Sequence, residues 1–207
     1  MELIEKYFGG ELTPLQRGTL RPFVRPLCGV ERPYQRGVTQ GFRQPLPEAC
    51  ASFAGHCLRV PFRRRGAGVR RRDGRGVPCR AACHLLPGAH FTAVDSIGKK
   101  ITVVRAVASA LGLDNLEAVN CRAEALPGGY DYVVSRAVTE MSVLKGWMWN
   151  KITSGRKGTL PNGMLVLKGG DLTAELTAAG GRFEVYDIAQ WFGEAFFETK
   201  KVVYAPR

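Results

Sequence analysis

The chain has 207 residues and a formal net charge of +12, enough for one domain with a sizeable core and a short extension. No apolar run approaches membrane-spanning length, and the start MELIEKYF lacks the basic and apolar regions of a secretory signal. Membrane and secreted classes are therefore disfavoured, and a cytoplasmic protein with its six cysteines reduced is expected.

Residues 1–18 read as a short amphipathic helix with Leu3, Ile4, Tyr7 and Phe8 apolar, a Gly9-Gly10 break and a second start at Thr13-Pro14. Residues 19–84 differ from everything around them. They hold 14 arginines, no lysine and three acids (Glu31, Glu48, Asp73), so +11 of the net charge of +12 resides there. Five of the six cysteines and seven of the 12 prolines fall in the same stretch, and neither a helical nor a strand period is sustained. At face value it is a disordered basic segment able to bind RNA phosphates.

From Leu85 the chain becomes regular. Phe91 to Asp95 is an apolar strand that stops at an acid, and Ile101, Val104, Ala108 and Leu111 form the inner stripe of a helix that Gly112 can end. Leu116 to Cys121 is a second strand. Arg122 to Gly129 is a loop, and Tyr130 to Ser135 is a third strand, apolar enough to be covered on both faces. Thr139 can cap a helix running to about Asn150, with Met141, Leu144 and either Trp147 or Met148 inward. A loop rich in lysine and glycine leads to a strand at Met164 to Leu167, then to a helix from Leu172 to about Ala178. Arg182 to Asp187 and Lys200 to Tyr204 read as two strands without a full crossover helix between them, and so as an antiparallel pair. The class is α/β: a mostly parallel sheet with an antiparallel edge.

An acid ending a parallel strand stands in the crevice where open α/β sheets bind ligands, and it can accept both hydroxyls of a ribose. Asp95 holds that place, although taken without its neighbours it is better read as simply starting a helix. VDSIGKK at 94–100, CRAE at 121–124, YDYVVSRAV at 130–138, LPNGMLVLKGGDL at 160–172 and FFETKKVVYAPR at 196–207 resemble the ribosomal RNA small-subunit methyltransferase G family, also called glucose-inhibited division protein B. With the opening MELIEKYF, the resemblance covers 1–18 and 85–207.

It implies a class I S-adenosylmethionine-dependent methyltransferase with a Rossmann-like sheet. The implied partner is 16S rRNA of the small ribosomal subunit, methylated at a guanine N7 by a monomer that needs no metal. By that resemblance Asp95 holds the cofactor ribose, Ala123 and Glu124 lie along the adenine, and Arg136 lies in the cofactor site just past the third strand. From the residues alone, Glu124 is better read as a solvated loop acid and Arg136 as a partner of Asp131 or Glu140. Lys151, Arg156, Lys157, Lys168, Lys200 and Lys201 are candidates for RNA phosphates.

The family's glycine motif, of the form Asp-Val-Gly-Thr-Gly-Gly-Gly-Phe-Pro-Gly, should stand just before Leu85. Here RRRDGRGVPC occupies 70–79, with glycines only at 74 and 76. Written in GC-rich codons as GAC GTC GGG ACG GGC GGG GGG TTC CCG and read from the third base, the motif becomes RRDGRGVP, which is residues 71–78. The family's Trp-Asn-Ala-Arg-Ile-Asn-Val-Val-Ser, shifted the same way, becomes ERPYQRGVT, residues 31–39. Residues 19–84 therefore read as a frame-shifted passage with two compensating errors, near 19 and 84, that disrupts the first strand, its glycine loop and the following helix. The domain plan is an N-terminal helix (1–18), this aberrant segment (19–84) and the remainder of the methyltransferase domain (85–207). The rival function is a non-catalytic, arginine-rich RNA-binding protein. A zinc site from Cys79, Cys83, His84 and the upstream His56-Cys57 lacks a second matched pair.

Overall fold

The computed structural model describes Lys6 and residues 88–110, 112–136, 139–157 and 160–207. The helix expected over 1–18, apart from Lys6, the segment 19–84 and its candidate zinc ligands lie outside the described residues. Strand β1 (Phe91–Asp95) buries Phe91, Ala93, Val94 and Asp95. Helix α1 (Gly98–Ala110) follows and buries Ile101, Val104, Val107 and Ala108. It starts three residues ahead of that apolar stripe because Asp95 Oδ1 accepts the amide of Ile97 at 2.9 Å. The Ile97 carbonyl in turn accepts the amides of Lys100 and Ile101. Gly112, at φ +61°, ends the helix as expected.

Strand β2 (Leu116–Asn120) pairs parallel with β1, placing Asn120 beside Asp95. A 3-10 turn at Ala123–Ala125 precedes β3 (Tyr132–Arg136). That strand starts two residues later than the apolar run suggests. Tyr130 makes a separate bridge to Ile152, and the Asp131 carboxylate is taken by Asn162 and Thr153.

Helix α2 (Met141–Met148) runs on through a 3-10 turn at Trp149–Lys151. Thr139 does not cap it: the first amide, of Met141, donates instead to the Glu175 carboxylate, 2.6 Å away. Met148 is the inward residue and Trp147 is only partly buried.

Strand β4 (Gly163–Gly169) pairs parallel with β3 and leads to α3 (Thr173–Ala179). Strands β5 (Glu184–Asp187) and β6 (Lys200–Pro206) are antiparallel, as the sequence implied, and β6 inserts between β4 and β5. The close seam between β4 and β6 requires glycine at 163, where a Cβ would stand 2.3 Å from the Ala205 carbonyl oxygen.

The described strands form two sheets, β1-β2 and β3-β4-β6-β5. They share one core, in which Val94 of β1 clusters with Val133, Met141, Leu144, Met164, Val166 and Val203. No described strand pairs with the edge of β1 opposite β2 or with the edge of β3 opposite β4.

Tyr204 sits in this core at 1% exposure and donates to the Pro161 carbonyl at 2.6 Å. Burial, and then the neighbouring Tyr132 and Glu184, push its pKa up to about 12. A phenol held protonated in the native state stabilises it fully below the unfolded value of about 10, and that contribution is lost as pH rises through the folded value. Denaturant melts should therefore lose stability between about pH 10 and 12. Tyr204→Phe should flatten that limb, and an unchanged slope would refute the assignment.

Candidate cofactor site

The carboxyl end of β1 opens on a cleft of about 520 Å³, lined by Asp95, Ser96, Asn120 and Cys121, with Arg122, Ala123, Glu124 and Trp147 completing the wall. Three of the four residues singled out from sequence thus meet in one concavity. Strand pairing brings them together: β1 and β2 end level, and the chain leaving β2 turns at once through Ala123–Ala125.

Asp95 is buried, and its backbone carbonyl accepts the Asn120 side-chain amide at 2.8 Å, which ties the two strand ends together. Gly98 keeps this corner open, because a Cβ there would lie 3.2 Å from Asn120 Oδ1. Ala123 is fully buried at the cleft wall. Glu124 is exposed, while its backbone carbonyl is held by the Lys151 ammonium at 2.8 Å. Arg136 ends β3, outside the residues that line the cleft.

Sequence reasoning missed Asn120 and Trp147. Asn120 was discoverable, since it ends β2 as Asp95 ends β1. Trp147 was not, because helical spacing alone leaves it and Met148 interchangeable at the edge of an apolar stripe.

Several of the basic residues considered for phosphate contact are engaged inside the protein. Lys151 also donates to the Leu126 carbonyl. Lys168, with only 9% of its side chain exposed, donates to the Thr139 carbonyl and pairs with Glu175. Lys201 pairs with Asp187, and Lys200 lies 5.3 Å from the centre of the Phe196 ring. Arg156 and Lys157 remain exposed on the loop before β4.

The sequence model of the rRNA small subunit methyltransferase G family matches residues 73–202, a span that includes Asp95, Ala123, Glu124 and Arg136. The chain belongs to this family. Family relatives named ribosomal RNA small subunit methyltransferase G share much of the sequence. The one from Flavobacterium psychrophilum is 47% identical over 133 residues, or 64% of this chain and 63% of that protein. The one from Flavobacterium johnsoniae is 44% identical over the same length and the same shares. The match thus spans a little under two thirds of these relatives.

A solved S-adenosylmethionine-dependent methyltransferase from Aquifex aeolicus superposes with a TM-score of 0.53 at 13% identity, covering 68% of this chain and 81% of that one. The fold is that of class I S-adenosylmethionine-dependent methyltransferases. The family match begins at Asp73, inside the arginine-rich segment, and leaves 1–72 unmatched.

The family's cofactor can be tested against the residues present. A carboxylate offers about four acceptor positions. Asp95 gives one to the Ile97 amide and keeps a loose 3.5 Å pair with Lys100, so acceptors remain for a ribose diol. Next to Arg136, and outside the residues that line the cleft, the hydroxyl of Ser135 is buried on β3 with no hydrogen-bond partner among the described residues, a costly state for a polar group. The adenosine half of the cofactor fits. Positions 70–79, where its glycine cradle belongs, lie outside the described residues.

Proposed function

We propose that this domain is built to transfer the methyl group of S-adenosylmethionine to a guanine N7 in 16S rRNA of the small ribosomal subunit, acting as a cytoplasmic monomer without a metal. The observation that carries this reading is the buried Asp95 at the end of β1, with acceptor capacity to spare, in a cleft shared with Ala123 and Glu124 and within the span matched to the family. Asp95 takes the two ribose hydroxyls. Ala123, whose methyl group leaves room for a flat ring, and Glu124 line the adenine, and Arg136 serves the same site from the end of β3.

The cofactor supplies an activated methyl group. Guanine N7 carries a lone pair and no proton, so the protein needs no general base and its task is alignment, which can account for several kcal/mol of a barrier (about 7–11 at the upper end). No described helix is long and apolar enough to cross a membrane. Arg156 and Lys157 are exposed and available for RNA phosphates, in keeping with a soluble RNA-modifying enzyme.

As the sequence stands, the glycine cradle for the methionine half is missing from 70–79. Calorimetric titration of this polypeptide with S-adenosylmethionine is therefore expected to show no saturable binding. Tight binding would overturn the cradle argument. If a chain carrying the family's reading frame through 19–84 binds the cofactor but fails to methylate 16S rRNA, the functional reading itself falls.

The rival reading, an arginine-rich RNA-binding protein without catalysis, rests on the charge of 19–84. It predicts salt-dependent RNA binding that survives deletion of 85–207.

A further inference from the structure

Helices α2 and α3 cap one another. At the start of α2, Glu175 Oε1, in the first turn of α3, accepts the Met141 amide at 2.6 Å and also holds the Lys168 ammonium. At the end of α3, Lys145, in the last turn of α2, donates to the carbonyls of Ala179 and Gly180. Lys168 itself comes from β4, one residue past Leu167, which is the register partner of Arg136. Its ammonium also takes the Thr139 carbonyl. One ion pair thus holds a carbonyl and an amide on either side of Glu140, where the chain passes from Arg136 at the end of β3 into α2.

The stakes at this spot are high for an ordinary ion pair. Lys168 has 9% of its side chain exposed and Glu175 22%, so removing one partner strands a charge that water reaches poorly. The pair stands between two parts of the proposed site. On one side is Arg136. On the other is α2, whose Trp147 lines the cleft together with Asp95 and Cys121. A helix whose first amide is capped from a neighbouring helix cannot rotate or slide without breaking that bond.

We infer that Lys168 and Glu175 are positioning residues for the cleft: together they fix the start of α2 and so set where its Trp147 stands in the cleft wall. The functional consequence rests on the cofactor reading above, but the geometric claim concerns the cleft wall alone.

The test uses the full chain and the alkylation rate of Cys121, a free, half-buried thiol in the cleft, followed by peptide-resolved mass spectrometry with iodoacetamide. Glu175→Leu and Lys168→Met are expected to change the Cys121 rate at least about fivefold at temperatures well below melting. Glu175→Gln keeps an oxygen for the Met141 amide and should return the rate to within about twofold of the parent. Ile188→Val, a core change outside the clamp, serves as a control for simple destabilisation and should leave the rate unchanged. The inference is overturned if Glu175→Leu and Lys168→Met alkylate like the parent, or if Ile188→Val changes the rate as much as they do. Cofactor titration plays no part in these outcomes, so a failure of the methyltransferase reading and a failure of the clamp are told apart.

Discussion

A chain in which residues 19–84 are returned to the family's reading frame is expected to bind S-adenosylmethionine at least about 100-fold more tightly than the present one, a difference of about 2.8 kcal/mol. Two physical gains add up to this. The first is the cradle: glycines after the first strand let backbone amides approach the cofactor, and the following helix N-terminus favours its charged end. The present segment offers glycines only at 74 and 76 in that region. The second is the sheet. A parallel strand covered on both faces must be a nearly continuous apolar run, and between Pro61 and His84 there is no run of four apolar residues. Meanwhile the edges of β1 and β3 that no described strand pairs with border a core that both strands enter through Val94 and Val133.

The restored chain should also melt at a higher temperature, because a central strand adds apolar burial on both faces. Calorimetric titration and thermal melts of the two chains side by side decide it. Equal affinity in both would sink the frame-shift account, as would DNA across codons 15 to 90 in which no single-base slip links the frames.

Legibility in the sequence followed the physics of each element. Strands β1, β3 and β4 were readable because strands covered on both faces are plain apolar runs bounded by turn residues. The stripe of α1 was readable because Ile101, Val104 and Ala108 keep a helical period. The start of α2 was not, because its cap comes from Glu175, 34 residues away, and no local pattern announces a cap borrowed from another helix. Lys168 misled for the same reason. A lysine following an apolar strand looks like a surface charge until the fold brings Thr139 and Glu175 to it. In the site, Asp95 and the Ala123-Glu124 turn were legible through the family resemblance, and Asn120 was open to the same strand-end reasoning as Asp95, with which it is in register.

Replacing Asn162 with alanine is expected to cost about 3 kcal/mol, near the upper end for a single buried hydrogen-bonding side chain. Asn162 is fully buried. Its amide donates to Asp131 Oδ1 at 3.1 Å and to the Thr153 carbonyl and hydroxyl at 3.0 Å, while its own Oδ1 accepts the Lys157 amide at 3.0 Å. Thr153 and Lys157, in the described part of the loop before β4, are therefore both held by this one side chain at the amino ends of β3 and β4. In Asn162→Ala the Asp131 carboxylate, 6% exposed, keeps, among the described residues, only the Thr153 hydroxyl at 3.0 Å. A buried charge stripped of a donor costs more than the bond itself contributed. Thr153→Val removes a hydroxyl but leaves the Asn162 amide on Asp131, so it should cost about 1 kcal/mol. The same loop carries Arg156 and Lys157, both exposed. Under the proposed function, Asn162→Ala should weaken RNA binding as well, and flatten its dependence on salt, because loosened cations give up their fixed spacing against the phosphates. Denaturant melts of the two variants check the order. A loss below about 1 kcal/mol for Asn162→Ala, or a larger loss for Thr153→Val, would show that the loop is held by its backbone bonds and not by this side chain.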